Sequence, residues 1–440
     1  MKRPCVSAVL SFLLLLGGAG ELRAQTSAGQ TATHPKVQKL ANPLNDLLEE
    51  ARKAIDRQDY AAAVAPLQKV LAEEPSFAYG HFQLAYAFTG LGRREEARKE
   101  YQRAVDLDPK LAEGWLNLGL LLLDAEPGAA AAAFRHAVDL QPAQSRTQFL
   151  LGYARERSGD LAGADLAYQE ATKLDPRDYD VAFAYGRTLL RLNRPAEAES
   201  KFRNALASKP DSAAARLGLA RSLAVQKKPE AAAAAFRGYL QLNPDDHAVH
   251  LDLARLLYNQ GQFPAALAEI DAAEAGRHVS LDTLRFRADV LLAQSRWDDA
   301  IKVLQRALAL APGDSGLHAA LGHAYLKKKD YPSAETELNA ALAREPKSPG
   351  ALQDLVIAYS VTNDCPPALA ALDLLAALET PNAGAWFVRG TCYDKMGRAA
   401  EAIEAYRRFL ELDAGRNDRE DFIAQQRSEA LTRQLKEHKR

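Results

Sequence analysis

Gly313-Asp314-Ser315-Gly316 places a serine hydroxyl between an acid and a glycine, a setting in which serine can serve as an acyl-transfer nucleophile. That chemistry also needs a histidine base and an acid to orient it, all held on one rigid scaffold. His247 and His250, three residues apart, would share one face of a helix, but a metal there would need a third ligand. Glu95-Glu96 and Asp298-Asp299 are adjacent carboxylates. The chain contains no G-x-x-x-x-G-K-[ST], H-E-x-x-H or G-x-S-x-G motif and no Gly-rich dinucleotide loop. Whether any of these groups can react depends on the elements that hold it.

Those elements repeat. Prolines fall at 75, 109, 142, 176, 210, 244, 312 and 346, a spacing of 34 with one step of 33 and one skipped position, where His278 stands. Alanines at 63, 97, 164, 198, 232, 266, 300, 334, 368 and 402 keep the same period. Such spacing is the signature of a stack of identical supersecondary units. Within residues 78–109, His81, Leu84, Ala85 and Phe88 recur at helical spacing, and so do Ala97, Tyr101, Ala104 and Val105. Gly92 separates the two runs and Pro109 ends the second, so each unit reads as two helices. Pro195, Pro229, Pro264, Pro332 and Pro366 open second helices, where the missing N–H costs nothing. Ala51, Ala85, Gly119, Gly152, Gly186, Ala220, Ala254, Ala288, Gly322 and Gly390 mark where paired helices approach closely.

Against that frame the catalytic readings weaken. Ser315 is the first residue of a unit, just after the boundary Pro312, and equivalent boundaries read PDSAAA (210–215), PDDHAV (244–249) and PKSPGA (346–351). The tetrapeptide is therefore expected to be a turn whose Asp or Ser caps the next helix. The carboxylate pairs fall in first turns of second helices, where they suit the helix dipole. His247 and His250 are expected at the surface or between helices.

Charge and termini bound the partners. The 440 residues carry 56 basic and 57 acidic side chains, 48% apolar residues and 7% aromatics. Near-neutral charge argues against a nucleic-acid surface. Lys2 and Arg3 precede the apolar run Val6–Leu16 and then GGAGELRAQ, the pattern of a secretory signal peptide over 1–24, with cleavage after Ala24 and Gly20 as the next choice. Cys5 precedes the apolar core, so no lipoprotein anchor is expected. No later run has eighteen consecutive apolar residues, so no stable membrane insertion is expected after signal removal. Residues 25–43, rich in Thr, Ser, Gln and Ala, read as a disordered leader.

The repeated unit resembles the tetratricopeptide repeat family, whose motif W-x2-L-G-x2-Y, then A-x3-F, A and P is matched by Trp115, Leu118, Gly119 and Leu122; by Tyr185, Gly186, Leu189, Ala198, Phe202, Ala205 and Pro210; and by Trp386, Gly390, Tyr393, Ala402 and Tyr406. Eleven units are expected over 44–416: 44–77, 78–111, 112–144, 145–178, 179–212, 213–246, 247–280, 281–314, 315–348, 349–382 and 383–416. The third is one residue short, and 417–440 reads as an amphipathic capping helix. The resemblance implies an all-α, right-handed superhelical solenoid of helix-turn-helix repeats.

It also implies that positions 2, 5, 9 and 12 of each unit face a concave groove. There they present Tyr79, Phe82, Tyr86, Leu116, Leu120, Phe149, Tyr153 and Phe183, then Arg187, Arg221 and Arg255, with Arg285 four places earlier in its unit. Two readings stay open for the aromatics: tight packing, or a platform for apolar side chains of a ligand. Two stay open for the arginines: carboxylate partners within the chain, such as Asp180, Asp252 or Asp289, or an acidic group of the ligand. The family's carboxylate clamp is absent, because Phe82, Tyr86 and Leu150 replace three of its polar residues. Cys365 and Cys392 are the only cysteines beyond the signal segment, placed to form one disulfide or to sit as two buried thiols. The expected function is a non-enzymatic, cofactor-free scaffold, exported to the periplasm or secreted, that binds an extended or acidic protein segment. The alternative is a structural subunit of a cell-envelope assembly or polysaccharide-export complex.

Overall fold

A computed structural model of the chain describes residues 42–275 and 279–437. The signal-peptide reading, the leader up to residue 41 and the boundary residue His278 lie outside these residues. Among the described residues every regular element is a helix. They run α1 (Asn42–Asp56), α2 (Tyr60–Glu73), α3 (Ala78–Gly90), α4 (Arg94–Leu107), α5 (Ala112–Leu122), α6 (Pro127–Leu140), α7 (Ser145–Ser158), α8 (Leu161–Leu174), α9 (Tyr179–Arg191), α10 (Pro195–Ser208), α11 (Ala213–Val225) and α12 (Pro229–Leu240). Then come α13 (His247–Asn259), α14 (Phe263–Glu274), α15 (Leu281–Ala293), α16 (Trp297–Leu310), α17 (Ser315–Lys328), α18 (Tyr331–Arg344), α19 (Pro349–Thr362), α20 (Cys365–Ala376), α21 (Ala383–Lys395), α22 (Ala399–Asp413) and α23 (Asp418–Glu437). Asn42 and Pro43, assigned to the leader from sequence, open α1 instead. Two compact units divide at Asn243/Pro244, with α1–α12 in the first and α13–α23 in the second.

Each helix pair is locked by a large side chain of the second helix entering a gap left by a small residue of the first. Tyr101, Phe134, Tyr168, Phe202 and Tyr406 are all but inaccessible to solvent. A methyl group at Gly186 would lie 2.9 Å from the Phe202 ring, and one at Gly152 would lie 2.8 Å from Tyr168. Glycine is required there by close approach, and burial of each ring contributes about 1.5–3 kcal/mol.

The turns inside the pairs share a second demand. Gln58, Gly92, Gly159, Asn193, Lys227, Gly261, Ser295, Lys329, Asn363 and Gly397 all have positive φ, at the repeat's own spacing. A left-handed residue ends each first helix and starts its partner, whatever the residue type, although only glycine adopts that conformation without steric cost. The turn between α5 and α6 has no such residue, matching the one-residue deletion there.

Successive repeats are tied by a polar device that recurs with the period. His81 Nε2 lies 3.1 Å from the Pro75 carbonyl, His250 Nε2 3.0 Å from that of Pro244 and His318 Nε2 3.1 Å from that of Pro312. Trp115 Nε1 donates to the Pro109 carbonyl at 3.0 Å and Arg216 Nη2 to that of Pro210 at 2.9 Å. The carbonyls of these five boundary prolines, left over at a helix end, thereby find a donor six residues later. The other nitrogen of each of the three histidines meets a second-helix carboxylate, Glu100, Glu269 or Glu337, at 2.6 Å. At the C-terminus, α23 lays Ala424 and Leu431 against Tyr406 and Phe409.

Candidate binding face

The first helices of the first unit carry rings in pairs. On α3, Tyr79 stacks on Phe82 with centroids 6.0 Å apart, and Phe82 tilts onto the buried Tyr101 at 5.9 Å. On α7, Phe149 stacks on Tyr153 at 6.3 Å and tilts onto Tyr168 at 6.0 Å. On α9, Phe183 stacks on Tyr179 at 5.8 Å and meets Phe202 edge-on at 6.1 Å. In all three, the ring filling the helix pair also supports the ring on the first helix, nineteen residues upstream. Phe149 is buried, so its role is packing, with the half-buried Tyr153 beside it nearer to solvent. Leu116 and Leu120 of α5 are half-buried against the same core. Tyr86 is 39% exposed and meets Tyr60 edge-on.

Arg187, together with Arg191, is held by a carboxylate that sequence reasoning missed. Glu156, at the end of α7, is 3% exposed. Its Oε1 accepts from Arg187 Nη2 at 3.0 Å and from Arg191 Nη1 at 3.3 Å, while Tyr168 donates its hydroxyl to Oε2 at 3.2 Å. Burial, reinforced by the Glu156 charge, pushes the Tyr168 phenol well above its ordinary range, so it remains a hydrogen-bond donor. Glu156 occupies position 12 of its unit, which the family resemblance assigns to the groove; that was the available signal. Two guanidiniums, each about half exposed, thus share one buried carboxylate. Beside them Arg146 lies 5.0 Å over Phe149 and 3.9 Å from Asp180, whose carboxyl is raised by burial and by neighbouring Asp178.

Arg221 is exposed on α11, one repeat beyond Arg187. Arg255 belongs to the second unit, where its guanidinium lies 5.9 Å over Phe286. In that unit Arg285 pairs with Asp314, and His323 with Asp354 at 2.8 Å.

The opening chemical candidates resolve into structure. Ser315 is the first residue of α17 and donates to Glu345 Oε2 at 3.2 Å. The cap itself is Asp314, which accepts from the Leu317 amide at 2.9 Å, so of the two expected cap residues the aspartate serves. His318, one turn along, has both ring nitrogens engaged by Glu337 and the Pro312 carbonyl. His250 is engaged in the same way, and His247 Nδ1 meets the Ala273 carbonyl. No group of three ligating side chains able to hold a metal occurs among the described residues.

Tetratricopeptide repeat models match residues 145–178, 183–247, 251–315, 223–278, 291–359 and 383–415, and a TPR repeat model matches 86–124. The chain belongs to the tetratricopeptide repeat family. Repeats of this kind form scaffolds for protein–protein contact. No curated protein matches the sequence. Among solved structures, PilF of Pseudomonas aeruginosa shares 23% identity over 47% of this chain and 94% of its own, at a TM-score of 0.38. YrrB, described as a TPR protein with an unusual peptide-binding site, shares 20% identity over 44% and 97%, at 0.39. MamA from Desulfovibrio magneticus shares 20% identity over 40% and 100%, at 0.37.

Proposed function

We propose that the first helices of the first unit bind an extended protein segment that carries apolar side chains and an acidic group. The observation that carries this reading is the unequal sharing at Glu156: one buried carboxylate for two half-exposed guanidiniums leaves an excess positive charge beside stacked rings. Rings with backing partners offer flat apolar area at little entropic cost, and a guanidinium fork suits a carboxylate. Arg221 extends the basic stretch by one repeat, and Tyr79, Phe82, Tyr86, Leu116, Leu120, Tyr153 and Phe183 supply the apolar stretch.

Labelled acidic peptides containing aromatic and aliphatic residues test the reading by fluorescence anisotropy. Arg221→Glu is expected to weaken binding at least about tenfold, the scale of one charge-assisted contact. Arg135→Glu, which alters an exposed pair with Asp139 on second helix α6, serves as the control. Affinity falls as salt rises. Equal effects of the two substitutions remove the arginines from the site.

We further infer that the chain is exported, on the strength of the basic, apolar and small-residue succession in residues 1–24. No helix among the described residues is long and apolar enough to cross a membrane. Intact mass of the protein from its native compartment is the check: a chain beginning at Gln25 supports export with cleavage, and a chain retaining residues 1–24 overturns it.

A further inference from the structure

We propose that Cys365 and Cys392 form a disulfide that staples the last tetratricopeptide repeat to the one before it. Cys365 opens α20 and Cys392 lies in the last turn of α21, and both side chains are buried in one apolar cluster with Leu369, Leu372 and Tyr359. The structure records both as buried free thiols. Two polar contacts pin the helices on either side of the pair. Lys395 donates to Asn363 Oδ1, and Arg389 Nη2 lies 2.7 Å from Asp373 Oδ1. Lys395 joins α21 to the turn just before α20 and Arg389 joins it to the later part of α20, so the two cysteines lie between contacts that do not involve them.

No other thiol competes among the described residues, since these are the only two cysteines there. The step is an exchange with a low-molecular-weight disulfide such as glutathione disulfide. One cysteine thiolate attacks a glutathione sulfur and expels one glutathione thiolate; the second cysteine then displaces the other. One protein S–S bond forms, one glutathione S–S bond breaks, and the two cysteine protons end on two glutathione thiols. Burial and neighbouring Cys365 push the Cys392 thiol up to about 12, so in the folded, reduced chain Cys392 keeps its proton and exchanges slowly. The bond is therefore made while the C-terminal repeats are open, during folding, and is protected once they close.

The consequence is local. The last repeat has another repeat on one side and the single helix α23 on the other, and the end of an array frays first. A cross-link across α20 and α21 suppresses that opening by on the order of a hundredfold, through loss of freedom in the opened chain. The test does not depend on where the protein resides. The chain is unfolded, refolded in a mixture of reduced and oxidised glutathione, alkylated and digested without reduction. A linked Cys365–Cys392 peptide with no free thiol and no glutathione adduct is the expected product. Two alkylated cysteines, a glutathione adduct at either site, or a bond between chains overturns the proposal. Limited proteolysis supplies the second measurement: reduction should speed cleavage between α20 and α23 in the native sequence and leave the Cys365→Ser/Cys392→Ser chain unchanged. An equal response of both chains to reductant counts against the staple.

Discussion

In the first unit, the side chain that fills the space within a helix pair is aromatic in five consecutive repeats: Tyr101, Phe134, Tyr168, Phe202 and Phe236. The second unit fills the same position with Ile270, Leu304, Leu338 and Leu372 before returning to Tyr406. The surface follows the filling. Over Tyr101, Tyr168 and Phe202 sit Phe82, Phe149 and Phe183, and Phe387 sits over Tyr406 with centroids 6.2 Å apart. Nineteen residues before Leu304, Leu338 and Leu372 stand Arg285, Ala319 and Gln353. A ring on a first helix packs well where another ring lies beneath it, because aromatic faces and edges are complementary. Above an aliphatic side chain that advantage is lost: Leu251, Arg285, Ala319 and Gln353 stand there, none of them a ring, and Leu217 over Phe236 marks where the ring pairs end. The physical lesson is that the core residue and the face residue form one unit, so the binding character of a repeat is set from inside.

The comparison can be broken most directly by removing a ring. Phe202→Ala should destabilise the first unit by about 3–5 kcal/mol in urea unfolding, because the ring is fully buried and supports both Gly186 and Phe183. It should also weaken peptide binding without altering any residue on the face. A loss below about 1 kcal/mol would show that the ring is not the keystone of its pair.

Adding bulk probes the same fit from the other side. Gly186→Leu should cost about 1–3 kcal/mol or more, since even a methyl group there lies 2.9 Å from Phe202. Leu338→Phe in the second unit should cost a similar amount, about 1–3 kcal/mol, because its space was built for an aliphatic side chain. A neutral Leu338→Phe in thermal unfolding would mean that the aliphatic filling of the second unit is accidental.

Acid separates two carboxyl groups shifted in opposite directions. Glu199 accepts from Lys228 at 2.9 Å, Arg203 at 2.8 Å and Gln226 at 2.9 Å, and these donors, Lys228 foremost, hold its carboxyl down at about 2. Its contribution is complete above the ordinary carboxylate value of 4.5 and is lost as pH falls through about 2. Asp289, in the second unit, is raised by burial against the opposing pull of Arg285, so its cost is incurred as pH rises through that elevated value. Glu199→Gln is expected to flatten the acid limb of stability, and Asp289→Asn to raise stability at neutral pH. Denaturant midpoints across the acid range check both signs.

The smallest effect concerns the left-handed turns, which both units share. Lys227→Gly and Ser295→Gly should each stabilise by at most about 1 kcal/mol, while Gly261→Ala should destabilise by a similar amount. Thermal midpoints that move the other way would show that these turns are held by contacts instead of backbone preference.

Much of the architecture was legible because it is written locally and repeated. Boundary prolines, apolar spacing and small close-contact residues each act within one helix pair, so a period of 34 exposes them without knowledge of the whole. The left-handed turn residue was legible only where it is glycine, as at Gly92. Lys227, Gln58 and Ser295 take the same conformation with no compositional mark. The candidate face was read as a list of positions; that list held Tyr79, Phe82, Phe149, Tyr153 and Phe183 but not Tyr179, the ring stacked on Phe183. Whether each residue packs or faces solvent was not readable, since Phe149 and Tyr86 look alike in sequence and differ in burial.

By itself the sequence determined the all-helical repeat fold, because apolar spacing, small residues and prolines act within one helix pair and recur with the period. Tertiary structure alone decided the electrostatics. Glu156 is joined to Arg187 and Arg191 by a bond between neighbouring first helices, across 31 and 35 residues. A charge has many possible partners at that separation, and only the packing of one repeat on the next selects among them. The same holds for five of the boundary prolines, whose carbonyls are met by histidine, tryptophan or arginine. Three unlike side chains do one job there because the fold brings an N–H to the same point.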